Sequence, residues 1–358
     1  MKIFFIARGW PSERDPQWGN FERDQALALS KLGHQIVVMS VDVRFRKYRR
    51  KYGITKEVHG DIPHYNIFWG SFWGKPLRSI SLKLHTMVKE VLLLQVFKKA
   101  IIQEGIPDLV YGHYLGGCSM ALSIKRKYGI PAVGIEHWSR LGFPNIEKAV
   151  RDEAARTYPY MDCQISVSSA LKDNIKRNIG IDTIVVNNMI GSEFQYKPKS
   201  KGSQRVNFVT TGNLLHVKGF DNLINAFSKL DLPPNSWTLN IIGGGQEQVN
   251  LQKLIDRVGL SNNIHLCGRQ NREGVIEMLH NSDVYVMSSR SETFGVAAIE
   301  ALACGLPVIA TDCGGARDFI TKDNGIICAV DDIPKLSEAI FYMYKYNRNY
   351  DPALIAKD

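Results

Sequence analysis

Glu292 and Glu300 stand eight positions apart in SETFGVAAIEALACG, Ser291 to Gly305, among residues that are otherwise almost all apolar or small. At about 3.6 residues per turn, the neighbours of Glu300 one turn away are Val296, Ala297, Ala303 and Cys304, so the segment predicts a helix without a polar face. Such a helix is expected to be buried, and a carboxylate buried without partners is costly or neutralises. Glu300 is therefore expected to hold something. Glu292 falls just before the helix, about 10 Å from Glu300 at about 1.5 Å per residue, with helix N-terminal amides between them. Amides and the macrodipole favour phosphate, and carboxylates accept from hydroxyls, a combination suited to a nucleotide-sugar.

Two cations are placed to join them. In VNFVTTGNLLHVKGFDNLINAF a strand ends at Gly212 and a helix begins near Gly219, so Lys218 sits at a strand-to-helix turn where an anion would gather. Arg269 follows the strand in IHLCGRQ; a solvated surface residue is the plain alternative for both. GGGQ, Gly243 to Gln246, is a glycine turn after a strand without the spacing of a dinucleotide fingerprint. No Asp-x-Asp occurs, and no His, Cys or carboxylate cluster has metal-ligand spacing, so neither a metal nor a cofactor is expected.

Positioning these residues falls to short β-like runs alternating with helical stretches. KIFFIA, HQIVVMSV, DLVYG, PAVGIE and CQISVS come first, then VNFVTTG, WTLNIIGGG, IHLCG, DVYVMSS, LPVIATD and GIICAV. The rhythm predicts an α/β protein with two doubly wound, Rossmann-like domains facing a cleft, residues 1–190 and 191–358. The polar stretch Gly191 to Arg205 is the linker candidate. At 358 residues the chain is long enough for two cores, and its 44% apolar and 22% charged content is that of a globular protein. No apolar run approaches a membrane span or a signal segment, so a cytoplasmic protein is expected. The six cysteines are scattered and read as reduced core thiols.

Charge is uneven: residues 1–190 hold 28 basic against 17 acidic side chains, the remainder 17 against 18. The densest basic run is RFRKYRRKY, Arg44 to Tyr52, followed by the aromatic FWGSFWGK, Phe68 to Lys75. A solvated loop is one reading; a surface approaching anionic lipid headgroups, peripheral on the inner face of a membrane, is the other. No nucleic-acid-binding signature accompanies the charge.

The order of TGNLLHVKG, GRQ and MSSRSETFGVAAIEALACGLPVIATDCGG, with NNMIGSEF before them, resembles the retaining glycosyltransferases of family 4, the group 1 transferases with a GT-B fold. The resemblance spans about Val186 to Val330. It implies a C-terminal donor site: Glu292 with Phe294, Gly295 and Val296 around the transferred sugar and diphosphate, Glu300 on the ribose, Arg269 beside the base, Lys218 on the diphosphate. The N-terminal half resembles the family less closely, as an acceptor-binding domain. There Gly19, in GWPSERDPQWGNFERDQALALSKLGH, would bring backbone amides to the diphosphate, with a simple turn as the alternative. His137, in GIEHWSRLG, matches the position whose imidazole lies near the transferred sugar. Glu292, His137 and Lys218 are the catalytic candidates. Asn213 stands in the donor site where the family usually has Arg, leaving Lys218, helix amides and Arg290 or Arg317 to neutralise the diphosphate. The chain stops at ALIAKD, where the family continues into a helix crossing back to the first domain, which reads as a shortened C-terminus.

The implied reaction is metal-independent transfer of a hexosyl group, with retention, from a nucleoside diphosphate-sugar to a glycan or lipid-linked acceptor in cell-surface polysaccharide biosynthesis. Alternatives are a nucleotide-sugar epimerase of the same fold, a phosphorylase, disfavoured by chain length, and a donor-binding protein that has lost turnover.

Overall fold

The computed structural model describes residues 1–13, 15, 18–43, 51–69, 82–143, 145–198 and 205–357. The chain divides into two compact units, Met1–Met189 and Ile190–Asp358. Arg44–Arg50 and Gly70–Lys75, which carry most of the basic and aromatic runs, lie outside the described residues.

The first unit runs β1 (Lys2–Ala7), α1 (Asn20–Lys31), β2 (Gln35–Asp42), β3 (Gly53–His59), β4 (Ile62–Phe68), α2 (Leu82–Glu104), β5 (Leu109–His113), α3 (Tyr114–Tyr128), β6 (Ala132–Glu136), α4 (Lys148–Thr157), β7 (Cys163–Ser166), α5 (Ser169–Ile179) and β8 (Ile184–Val185). Its eight strands lie in the order β3-β4-β2-β1-β5-β6-β7-β8. The sheet is covered on both faces, as parallel strands require. Phe4 meets Phe97 of α2, whereas Phe5 packs in a cluster with Ala26 of α1. The antiparallel β3–β4 hairpin is not among the sequence-read strands. β3 is an edge strand with little burial, so it lacks the apolar alternation that marks its neighbours.

In the second unit come β9 (Val206–Thr211), α6 (Phe220–Phe227), β10 (Trp237–Ile242), α7 (Gln248–Arg257), β11 (Ile264–Leu266), α8 (Arg272–His280), β12 (Val284–Met287), α9 (Val296–Ala303), β13 (Val308–Thr311), β14 (Gly325–Cys328), α10 (Ile333–Tyr346) and α11 (Pro352–Ile355). Six parallel strands follow the order β11-β10-β9-β12-β13-β14, with a topological switch between β9 and β12. Successive residues feed opposite cores: Phe208, Val284, Val286 and Ile309 join one cluster, and Val209, Tyr285, Met287, Val308 and Ala310 the other. No helix among the described residues is long and apolar enough to cross a membrane.

The expected linker is only partly one. Phe194 is buried in the second unit's core, and the Arg272 guanidinium lies 5.1 Å from its ring centroid while pairing with Glu193. A polar composition around one aromatic anchor concealed that packing. Phe194→Ala should destabilise the second unit by about 3 kcal/mol through the cavity it leaves. Denaturant unfolding of the full chain measures this, and an unchanged second-unit transition would return the segment to a linker.

Candidate functional site

The loops that follow β9, β12 and β13 converge at the switch. Lys218 closes a short turn after β9, and its Nζ donates to Glu292 Oε1 at 2.5 Å. Ser289 Oγ donates to the same oxygen at 2.7 Å. Thr311 at the end of β13 donates to the carbonyls of Met287 and Ser289, fixing the strand end from which the Glu292 loop departs. Glu292 N donates to Cys313 O at 2.8 Å, and a Cβ on Gly314 would stand 2.0 Å from Glu292 O. Glycine is therefore required there: any side chain would expel the Glu292 loop.

Gly295, at φ +100°, precedes α9, whose N-terminus carries no side-chain cap. Phe294 offers backbone rather than ring, because its side chain is buried edge-on against Phe319 at 5.2 Å. The reading of α9 as buried all round needs correction. Ala298, Ala301 and Leu302 are buried, but Val296, Ala297, Ile299 and Glu300 are half-buried, so Glu300 stands on a partly open face. Tyr285 sets its hydroxyl against Thr211 and feels the charge of both carboxylates. Burial pushes its hydroxyl up to about 12, the bonds from Thr211 oppose this, and the charges of Glu300 and Glu292 add to it. Arg269 is exposed, with its guanidinium donating to Gly244 O at 3.1 Å. Asn213 is also exposed.

The two arginines expected to help Lys218 are committed elsewhere. Arg317 pairs with Asp312. Arg290 forms a fork on Asp221, 2.8 Å on each arm, and also donates to Asp331 at 2.8 Å and His216 O at 2.7 Å. With its own amide on Val217 O, Arg290 ties the Lys218 turn to the Glu292 loop. Sequence reading ranked it only as a spare cation; its position two residues before Glu292 was the available signal.

Gly19 and His137 belong to the first unit. Gly19 caps α1 at φ +84°, and a Cβ there would stand 2.3 Å from Gly9 O, so the turn is set by close backbone approach. Phe21, in the first turn of α1, stacks on the His137 ring at 6.0 Å. His137 Nε2 lies 3.4 Å from His113 Nδ1, and the rings are nearly parallel. Burial, first of all, pulls His113 down to about 4 and His137 to about 3, so both are neutral at physiological pH. Beside them, burial would raise the Glu22 carboxyl, but the Arg8 guanidinium at 2.8 Å draws it down to about 2.

Glu136, unremarked in the sequence, organises this corner. Its carboxylate accepts from the amides of His137 at 2.8 Å and Trp138 at 2.6 Å and from the Tyr158 hydroxyl. Burial nevertheless pushes it up to about 7. A carboxylate ending the apolar strand PAVGIE was the same kind of signal as Glu300.

Comparison with known proteins follows this geometry. The family model "Glycosyl transferases group 1" matches residues 192–351, and "Glycosyltransferase Family 4" matches residues 23–193. A Bacillus subtilis protein assigned to teichuronic acid biosynthesis as the glycosyltransferase TuaC is 28% identical, over 98% of this chain and 91% of its own length. Among solved structures, sucrose-phosphate synthase from Thermosynechococcus elongatus superposes with a TM-score of 0.78 at 16% identity, covering 99% of this chain and 92% of the other. HepE from Anabaena, in complex with UDP-glucose, gives 0.70 at 18% identity, covering 100% and 94%. The fold is therefore GT-B, two α/β domains.

Replacing Arg290 by Lys keeps the charge but loses the fork, and should cost about 2 kcal/mol of second-unit stability. Chemical denaturation checks this; an unchanged midpoint would mean the clamp carries no load. In the first unit, Glu136 holds its proton more tightly folded than unfolded, so its contribution is full below pH 4.5 and is lost as pH rises through about 7. His113 and His137 act oppositely: their contribution is present above pH 6.5 and is lost as pH falls through about 4 for His113 and about 3 for His137. Between pH 4.5 and about 7, Glu136→Gln should therefore gain on the parent by up to about 1.4 kcal/mol per pH unit as pH rises. Parallel stability profiles from pH 5 to pH 8 would show that Glu136 titrates as it does unfolded.

Proposed function

We propose that this chain, which belongs to the group 1 glycosyltransferases of family 4, transfers a hexosyl group with retention from a nucleoside diphosphate-sugar to a glycan or lipid-linked acceptor. The observation that carries the donor reading is the Lys218–Glu292 pair at the switch of the second sheet, beside the uncapped end of α9. The UDP-glucose held by HepE supports a nucleoside diphosphate-sugar, and the assignment of TuaC supports an acceptor in cell-surface polysaccharide synthesis.

In this reading the diphosphate takes Lys218 from Glu292 and lies against the first amides of α9. The freed Glu292 accepts from a sugar hydroxyl, Glu300 from the ribose, and Arg269 borders the base. The bond from the anomeric carbon to the diphosphate oxygen breaks, and the acceptor oxygen bonds to that carbon on the face just vacated. The acceptor proton passes to the departing phosphate oxygen, whose charge Lys218 and the amides stabilise. Glu292 is not cast as a covalent nucleophile, because its spacing from Glu300 suits the two ends of a donor rather than a pair of carboxylates flanking one bond. The places of His137 beside the transferred sugar and of Gly19 at the diphosphate rest on the family resemblance alone; within the first unit, burial keeps His137 neutral. A cytoplasmic protein peripheral on an anionic membrane is the matching location, supported by the basic excess of residues 1–190.

A second reading is favoured by one observation. With Asn213 in place of an arginine, and Arg290 and Arg317 locked in ion pairs, the site has less positive charge to offer a leaving diphosphate. That would make it a donor-binding protein of slow turnover.

Glu300→Ala should weaken nucleoside diphosphate binding by about tenfold or more, measured by calorimetry; unchanged affinity would remove Glu300 from the ribose. Glu292→Gln should leave that affinity near the parent's while lowering transfer about a hundredfold. Equal loss of both would mean Glu292 only shapes the loop. Asn213→Arg should raise turnover if the slow-turnover reading holds and leave it unchanged otherwise.

A further inference from the structure

We infer that Glu57, His59 and His64 form a zinc site that staples the edge hairpin of the first unit. Glu57 and His59 are two apart on β3 and so share one face, and His64 stands directly across from Glu57 in the antiparallel register. Their ligand atoms all lie within 4.8 Å of one another. The sequence hides this arrangement, because E-x-H and a further His five residues beyond become neighbours only when the hairpin closes.

The geometry is that of a coordination edge. Glu57 Oε2 and His59 Nε2 are 3.6 Å apart, too far for a hydrogen bond. Two ligands each about 2.1 Å from a tetrahedral zinc stand about 3.4 Å from one another. His59 Nε2 is buried and makes no hydrogen bond to any described residue, although its ring is nearly parallel to Trp10, 5° between planes at 4.6 Å. An oriented imidazole with its nitrogen left unbonded is a binding posture. His64 is 5% exposed, and its Nε2 meets Ser40 Oγ at 2.8 Å. Ser40 donates its single hydrogen to Asn66 Oδ1 at 2.8 Å, so Nε2 of His64 carries the proton and Nδ1 presents the lone pair. A hydroxyl behind the ring that fixes its tautomer is what a zinc-bound histidine ordinarily has.

Two imidazoles and one carboxylate suit Zn²⁺ over Mg²⁺ or Ca²⁺, which prefer oxygen ligands. Glu57 is exposed, so a water completes the fourth position from the solvent side. The consequence is mechanical: β3 is an edge strand with slight burial, and zinc would pin it to β4. None of these residues is in the proposed donor site, so the inference stands independently of the transferase reading.

The test uses the full chain stripped with chelator. Equilibrium dialysis with Zn²⁺ should give one tightly bound ion per chain, and substituted Co²⁺ should show the visible absorption of a tetrahedral site. Glu57→Gln, an exposed and nearly isosteric change that leaves the fold intact, should weaken Zn²⁺ binding at least about tenfold and abolish the rise in melting temperature that zinc confers. His59→Ala should do the same, while His34→Ala and His280→Ala should not. No stoichiometric zinc, or zinc binding unchanged in Glu57→Gln and His59→Ala, would overturn the site.

Discussion

The reversal of strand order between β9 and β12 is the constraint on which the second unit's candidate site depends. These strands pair only at Phe208 with Val284 and at Val209 with Tyr285. Beyond that point β12 pairs with β13 and β9 with β10, so the chains leaving Thr211 and Met287 diverge. Tyr285 bridges the opening by placing its hydroxyl against Thr211. Above it, Lys218 and Arg290 rejoin the two loops through Glu292 and Val217 O. Charge collects where the sheet itself supplies no backbone partner. That is the physical reason ligands of such sheets bind at their switch points.

Legibility followed the apolar pattern. The strands β10, β12 and β13 of the second unit could be read because both faces of each are buried and their runs are nearly continuous. Glu300 was noticed for the same reason, although α9 is half-open on its side, so the premise was too strong. The β3–β4 hairpin escaped because an edge strand need not be apolar. Glu136 and Arg290 escaped because each works through backbone groups whose positions only the fold defines: Glu136 on two amides in its own loop, Arg290 on His216 O, seventy-four residues away. Phe194 shows the converse, a single buried ring in a segment whose remaining residues are those of a linker.

The two units compensate buried charge differently. In the first, Glu22 is paired with Arg8 and is held ionised, whereas Glu136, given hydrogen bonds but no ion pair among the described residues, is drawn toward its neutral form. Hydrogen bonds to backbone amides and a phenol do not replace a countercharge at full burial. His113 and His137 stay neutral in the same surroundings, so the corner around His137 has one firm charge pair and three groups whose charge the fold resists.

In the second unit the choice of cation matters more than the count. Arg290 is rigidly saturated by two carboxylates and a carbonyl, so its fork is spent on architecture. Lys218 differs: its ammonium is a compact charge on a flexible stem, joined to one carboxylate, and the pair remains partly exposed, at 25% and 17% of the two side chains. A pair of that kind gains little from remaining closed, because water screens it and the desolvation cost is incomplete. Under the proposed function, an incoming diphosphate, doubly charged and met by the amides of α9 as well, would have the advantage in competing for the ammonium. The arginine fixes where the lysine stands, and the lysine is left free enough to change partners.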